Sequence, residues 1–271
     1  MKRLIVLIDF SDYSEVLIDL AFKWQGQYGF GLVFVHQVPG LIPALADNKS
    51  RHQILEYEKK QAGKKLEEIL SKNHATQSTA QIEVTEKQLV QHLKSLLLPD
   101  DMLMVGLKGT GFLKKILIGS TVTDIIDQLN QITVAIPAKL NPHSIPKQLT
   151  VGLSYRYPLN YQAFLRLLEI FSYATKQVEL VTVLTPSEDR WESEKYLKGL
   201  KIKLEEKVSV DIKMFEGTDT FGEIKKYIHQ KENGMFVVQK GSRTMNDKLF
   251  RKFLINELVY DGALPLIVLP L

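Results

Sequence analysis

The feature that most constrains this chain is a rhythm: short apolar runs of strand length, each followed by a segment with helical apolar spacing, repeated along most of its 271 residues. Leu4 to Ile8 is the first such run. Val16, Leu17, Leu20, Ala21 and Trp24 then mark a helix, and Leu32 to His36 is a second strand. After a loop at 39–50 with two prolines and a glycine comes a charged amphipathic helix from about Arg51 to Leu70. Gln81 to Thr85, Met102 to Val105 and Ile132 to Ile136 read as strands, with helices over Glu86 to Leu98 and from Thr121 onward. Continuous apolar runs suit strands covered on both faces. Strands alternating with helices predict a parallel sheet with right-handed crossovers and helices on both sides. The fold class is α/β.

A stretch with Pro142 and Pro146 interrupts the rhythm, which then restarts at Leu149 and closes on Leu264 to Leu269. Both halves end on an apolar strand followed by proline, at Ile136-Pro137 and Leu269-Pro270, and ahead of that strand both carry Ile followed by Gly or Asn, at Ile118-Gly119 and Ile255-Asn256. These correspondences predict two tandem domains, 1–141 and 147–271, each an open five-stranded parallel sheet, with a last helix at 249–260. Ligands of open α/β sheets sit outside the carboxyl ends of the strands, where the chain order reverses. Strand one delivers Asp9 there, and strand four ends in Gly106, Gly109 and Gly111, followed by Gly119-Ser120.

Glycines let a backbone approach a ligand closely, and Ser120 and Thr121 stand where free amides and the helix dipole would meet a phosphate. The same residues also fit an ordinary turn and a capping box from Thr121 to Asp124. Gly106 to Gly111 has P-loop spacing, but Phe112-Leu113 replaces the Lys-Ser/Thr pair, and no G-x-G-x-x-G follows a strand. Asp9 suits the two hydroxyls of a ribose, or equally a helix cap or turn, a task that Ser11 or Asp12 could also perform.

Gly106-x-x-Gly109, nine residues, then Gly119-Ser120, following a strand, resembles the G-2x-G-9x-G-[S/T] signature of ATP-binding universal stress proteins. Together with the two-part pattern, the resemblance covers essentially the whole chain. It implies that Asp9, in the same Asp-Phe-Ser context, contacts the ribose side of the nucleotide, with Leu7 and Val105 lining the site. Gly106 and Gly109 would line ribose and phosphates, and Gly119, Ser120 and Thr121 would hold the outer phosphates. The backbone at Gln37, where an apolar residue is usual in the family, would meet the adenine edge. The implied ligand is ATP, or ADP or AMP, with magnesium or manganese carried by the phosphates. Lys108, Lys114 and Lys115 are candidates for added charge. In the second half Ser154 answers Asp9, Gln239 answers Gly106 and Asn256 answers Gly119. That half is therefore expected to bind no ATP and to pair with the first half, although Lys240 and Arg243 leave another anion open.

Composition narrows the remaining classes. The absence of cysteine excludes a disulfide framework, a thiolate metal site and a cysteine nucleophile. Net charge is +4, with 16 basic and 15 acidic residues in 1–141 against 19 and 16 in 142–271. Neither half is a basic nucleic-acid module, and the paired lysines at 59–60, 64–65 and 225–226 read as solvated helix faces. Lys2-Arg3 precedes only five apolar residues, too few for a signal peptide or a membrane span, so a cytoplasmic location is expected. The six histidines show no ligand spacing, and most read as surface or capping groups. No residue is placed as a general base, so the expected activity is nucleotide binding in a stress response, with at most slow hydrolysis. The other classes considered are an interaction or dimerisation module of the same fold, with a homodimer or an unknown protein as partner, and an adenylate-forming enzyme, for which no motif exists.

Overall fold

The computed structural model describes residues 2–11, 13–40, 47–74, 80–106, 120–137, 140, 147–172, 174–231, 234–242 and 264–271. The glycine loop beyond Gly106, the linker at 141–146 and the helix expected at 249–260 lie outside them. The first half runs β1 (Arg3–Ile8), α1 (Ser14–Tyr28), β2 (Gly31–Gln37), α2 (Asn48–His74), β3 (Gln81–Thr85), α3 (Leu89–Leu96), β4 (Met102–Gly106), α4 (Ser120–Gln128) and β5 (Ile132–Ile136). The second runs β6 (Gln148–Gly152), α5 (Tyr161–Phe171), β7 (Gln177–Leu184), α6 (Arg190–Glu205), β8 (Ser209–Glu216), α7 (Thr220–His229), β9 (Met235–Gln239) and β10 (Leu266–Leu269).

Helix boundaries follow local chemistry. Asn160, Asp189 and Asp219 precede α5, α6 and α7, and each accepts a hydrogen bond from a first-turn amide. Gly29 ends α1 at φ 71°, a left-handed conformation open to glycine at little cost.

The strands form a single ten-stranded sheet in the order β3-β2-β1-β4-β5-β10-β9-β6-β7-β8. Pairing is parallel within each half, and β1 lies between β2 and β4 as β6 lies between β7 and β9. The two expected five-stranded sheets are thus joined. Their seam is antiparallel, with Thr133 opposite Val268, Val134 opposite Ile267 and Ala135 opposite Leu266. β5 and β10 are buried throughout, and left alone each would be a bare apolar edge; pairing satisfies both.

One face of the sheet is covered by α1, α2, α5 and α6 around Trp24, Phe34, Phe164 and Phe171. The other is covered by α3, α4 and α7 around Leu103, Val105, Ile125 and Phe236. No helix among the described residues is long and apolar enough to cross a membrane.

Candidate functional site at the carboxyl edge of β1 and β4

Because β1 to β5 are parallel, their carboxyl ends share one edge, and chain order reverses there between β1 and β4. Register places Leu7 opposite Val35, Ile8 opposite His36 and Gln37 opposite Thr85. Leu7 and Val105 pack on the face covered by α3 and α4, and Gln37 shares it by alternation from Val33 and Val35. Leu7 is half-buried, Val105 buried and Gln37 exposed. Ser120 and Thr121 open α4, whose first amides lack helical partners and lie at the same edge. The structure thus brings together Leu7, Asp9, Gln37, Val105, Gly106 and the start of α4. Gly109, Gly119 and Lys108, Lys114 and Lys115 lie outside the described residues.

Asp9 is exposed and already half engaged. Its Oδ1 accepts from the Ser11 amide at 2.9 Å and from Ser14 Oγ at 3.1 Å, so Asp9 itself organises the turn into α1. Among the described residues its Oδ2 has no hydrogen bond. Between Asp9 and Ser11 lies Phe10 at φ 55°, a left-handed conformation costing a side-chain-bearing residue about 1–2 kcal/mol. Its ring centroid is 4.2 Å from that of His36, and Lys65 Nζ, from α2, lies 4.5 Å from it. His36 is buried, with Nδ1 2.8 Å from the Ile8 carbonyl. Burial holds its pKa below the ordinary histidine value, against the opposing effect of that hydrogen bond. His36 is therefore a buried exception among the histidines, and Lys65, exposed as expected of a solvated helix face, also reaches the Phe10 ring.

Gly106 is accounted for by packing. A Cβ there would stand 2.8 Å from Leu17 Cδ1 and 2.9 Å from Tyr13 Cδ1, so the Leu17 side chain and the buried Tyr13 ring would both have to shift. Tyr13 is buried, and its hydroxyl donates to the Pro137 carbonyl at 2.5 Å. It was not picked out in the sequence, although its spacing to Leu17 places both on the same face of α1.

At the second half's carboxyl edge, Gln239, the counterpart of Gly106, fills the corresponding space. Its amide donates to the Pro270 carbonyl at 2.8 Å and accepts from the Asn160 amide at 2.9 Å. Ser154 Oγ, at the counterpart of Asp9, is 3.4 Å from Glu188 Oε1. Lys240, considered for an anion, donates to the Leu129 carbonyl at 3.0 Å; Arg243 lies outside the described residues.

The universal stress protein family profile matches residues 1–136. No curated protein matches the chain. Among solved structures, a universal stress protein from Archaeoglobus fulgidus DSM 4304 is similar at TM-score 0.65 and 14% identity, covering 98% of both chains. A functionally unknown protein from Pseudomonas aeruginosa PAO1 is similar at TM-score 0.56 and 10% identity, covering 99% of this chain and 92% of that one. At such identities the likeness is one of fold, spanning both halves. The family profile covers half of the chain, including Asp9 and the glycine spacing, and by it the chain belongs to the universal stress protein family.

Proposed function

We propose that the first half binds an adenine nucleotide, ATP or its di- or monophosphate, and that occupancy regulates how the protein meets a partner. Family membership supports a role in the stress response. The observation that carries the nucleotide reading is Asp9: a carboxylate at the reversal between β1 and β4, fixed through Oδ1, with Oδ2 left for a ligand hydroxyl. The residues present fit such a ligand. Leu7 and Val105 offer an apolar floor, Gln37 an exposed strand end, and the start of α4 the positive end of a helix dipole for a phosphate. Magnesium or manganese would enter with the phosphates.

The role is binding, with at most slow hydrolysis. The second half favours the interaction reading for itself, since Ser154 stands where the first half has Asp9 and Gln239 where it has Gly106, and a homodimer or another protein is the partner to seek. Calorimetric titration with ATP and magnesium, beside mass spectrometry of gently purified protein, tests the nucleotide. Wild type should retain or titrate an adenine nucleotide, Gly109→Val should not, and Asp9→Ala should bind at least about tenfold more weakly, the worth of one charge-assisted hydrogen bond. Wild type that neither copurifies with nor titrates against ATP, ADP or AMP overturns the reading.

A further inference from the structure

The turn that carries Asp9 is strained, and the corresponding turn of the second half is not. Among the described residues Phe10 is the only non-glycine residue at positive φ; Tyr155, its counterpart beside Ser154, is not. A second difference accompanies this one. His36 Nδ1 reaches the Ile8 carbonyl at 2.8 Å, and Thr182 Oγ1 reaches the corresponding Leu153 carbonyl at 2.9 Å. A hydroxyl thus suffices for that hydrogen bond, and what the imidazole adds is a ring. That ring lies against Phe10, with Lys65 Nζ also over the Phe10 ring.

Strained backbone persists only where its surroundings over-determine it. Here the surroundings include the His36 ring, the exposed Lys65 ammonium and the core against which Phe10 packs. The conformation matters to Asp9 because the bond from the Ser11 amide to Asp9 Oδ1 closes across Phe10. If Phe10 relaxed to negative φ, that amide would turn away and the carboxylate would keep only the Ser14 hydroxyl of its two anchors.

We infer that His36 is a positioning residue: with Lys65 it clamps Phe10 in the left-handed conformation and thereby sets the Asp9 carboxylate for the ligand. The inference rests on the nucleotide reading for its ligand, but the clamp itself can be measured without one. His36→Thr borrows the second half's own solution, keeping the hydrogen bond and removing the ring. Phe10→Gly removes the strain, since glycine takes positive φ freely.

The test is amide hydrogen exchange at Ser11 by NMR on the full chain, with calorimetric titration of ATP and magnesium alongside. In His36→Thr the Ser11 amide should exchange roughly tenfold faster and affinity should fall by a similar factor, the size of one left-handed residue's strain. Adding Phe10→Gly should bring both to within about threefold of wild type, because the turn then needs no clamp. A merely packing role predicts the reverse, since the double variant removes still more ring. Unchanged Ser11 exchange in His36→Thr, or a double variant no better than the single, overturns the inference. If wild type binds no adenine nucleotide, the functional reading falls and Ser11 exchange alone decides the clamp. Should His36→Thr not fold, Lys65→Met on α2 reads the same clamp, with faster Ser11 exchange expected and unchanged exchange refuting it.

Discussion

Glu179 shows how much one buried charge can determine. It is 4% exposed within β7, where Tyr227 donates to it at 2.7 Å and Lys231 Nζ also lies at 2.7 Å. Burial pushes its carboxyl up, but the bonds from Lys231 and Tyr227 outweigh this and hold it below 4.5. A carboxylate depressed in the folded state stabilises above its unfolded pKa, and that stability is lost as pH falls through the folded value. Urea midpoints of wild type should therefore drop below about pH 4.5. Lys231→Met should cost about 3 kcal/mol at pH 7 by stranding the charge. It should also reverse the slope, gaining stability on acidification because protonation then relieves the burial. At this scale the sequence was legible where a residue's role is set by its neighbours in the chain. The position of Asp9 just past a strand end followed from the apolar run before it, whereas the packing against Gly106 comes from Tyr13 and Leu17 crossing from another element. His36 and Lys65 meet over Phe10 only because β2 and α2 are folded together, and no periodicity records that meeting.

Strand positions were read closely from apolar runs, since a buried strand carries its signal in every residue; β3 and β5 match their expected bounds. Helix starts were less legible. α2 begins at Asn48 rather than near Arg51, and α3 occupies Leu89–Leu96 within the expected 86–98, because a solvated first turn has no apolar period to mark it. α4 has no basic residue in its last turn, and the second half supplies one: Lys240 donates to the Leu129 carbonyl just beyond its end. A cation there complements the helix dipole and satisfies a terminal carbonyl. Lys240→Met should lower stability by about 1 kcal/mol, read as a shift in denaturant midpoint with unchanged slope.

Across the whole molecule the antiparallel seam explains both the joined sheet and its short connection. β6 starts three strand positions from β5, about 14 Å at the usual strand spacing, and it starts at the end of the sheet where β5 stops. The eleven residues from Pro137 to Lys147 reach up to about 36 Å and so span this without strain. The core on the α1, α2, α5 and α6 face continues from one half into the other, and one cooperative calorimetric transition is expected. Val134→Asp, at a position with no exposure, would place an unpaired charge in the seam, costing several kcal/mol. It should split that transition in two, and a single transition in this variant would show the seam is not what couples the halves. Opposed strand directions also give the protein a polarity. The Asp9 edge and the Gln239 edge face opposite ways, so a small molecule held at the first and a macromolecule gripping the second would occupy opposite ends of the sheet at the same time.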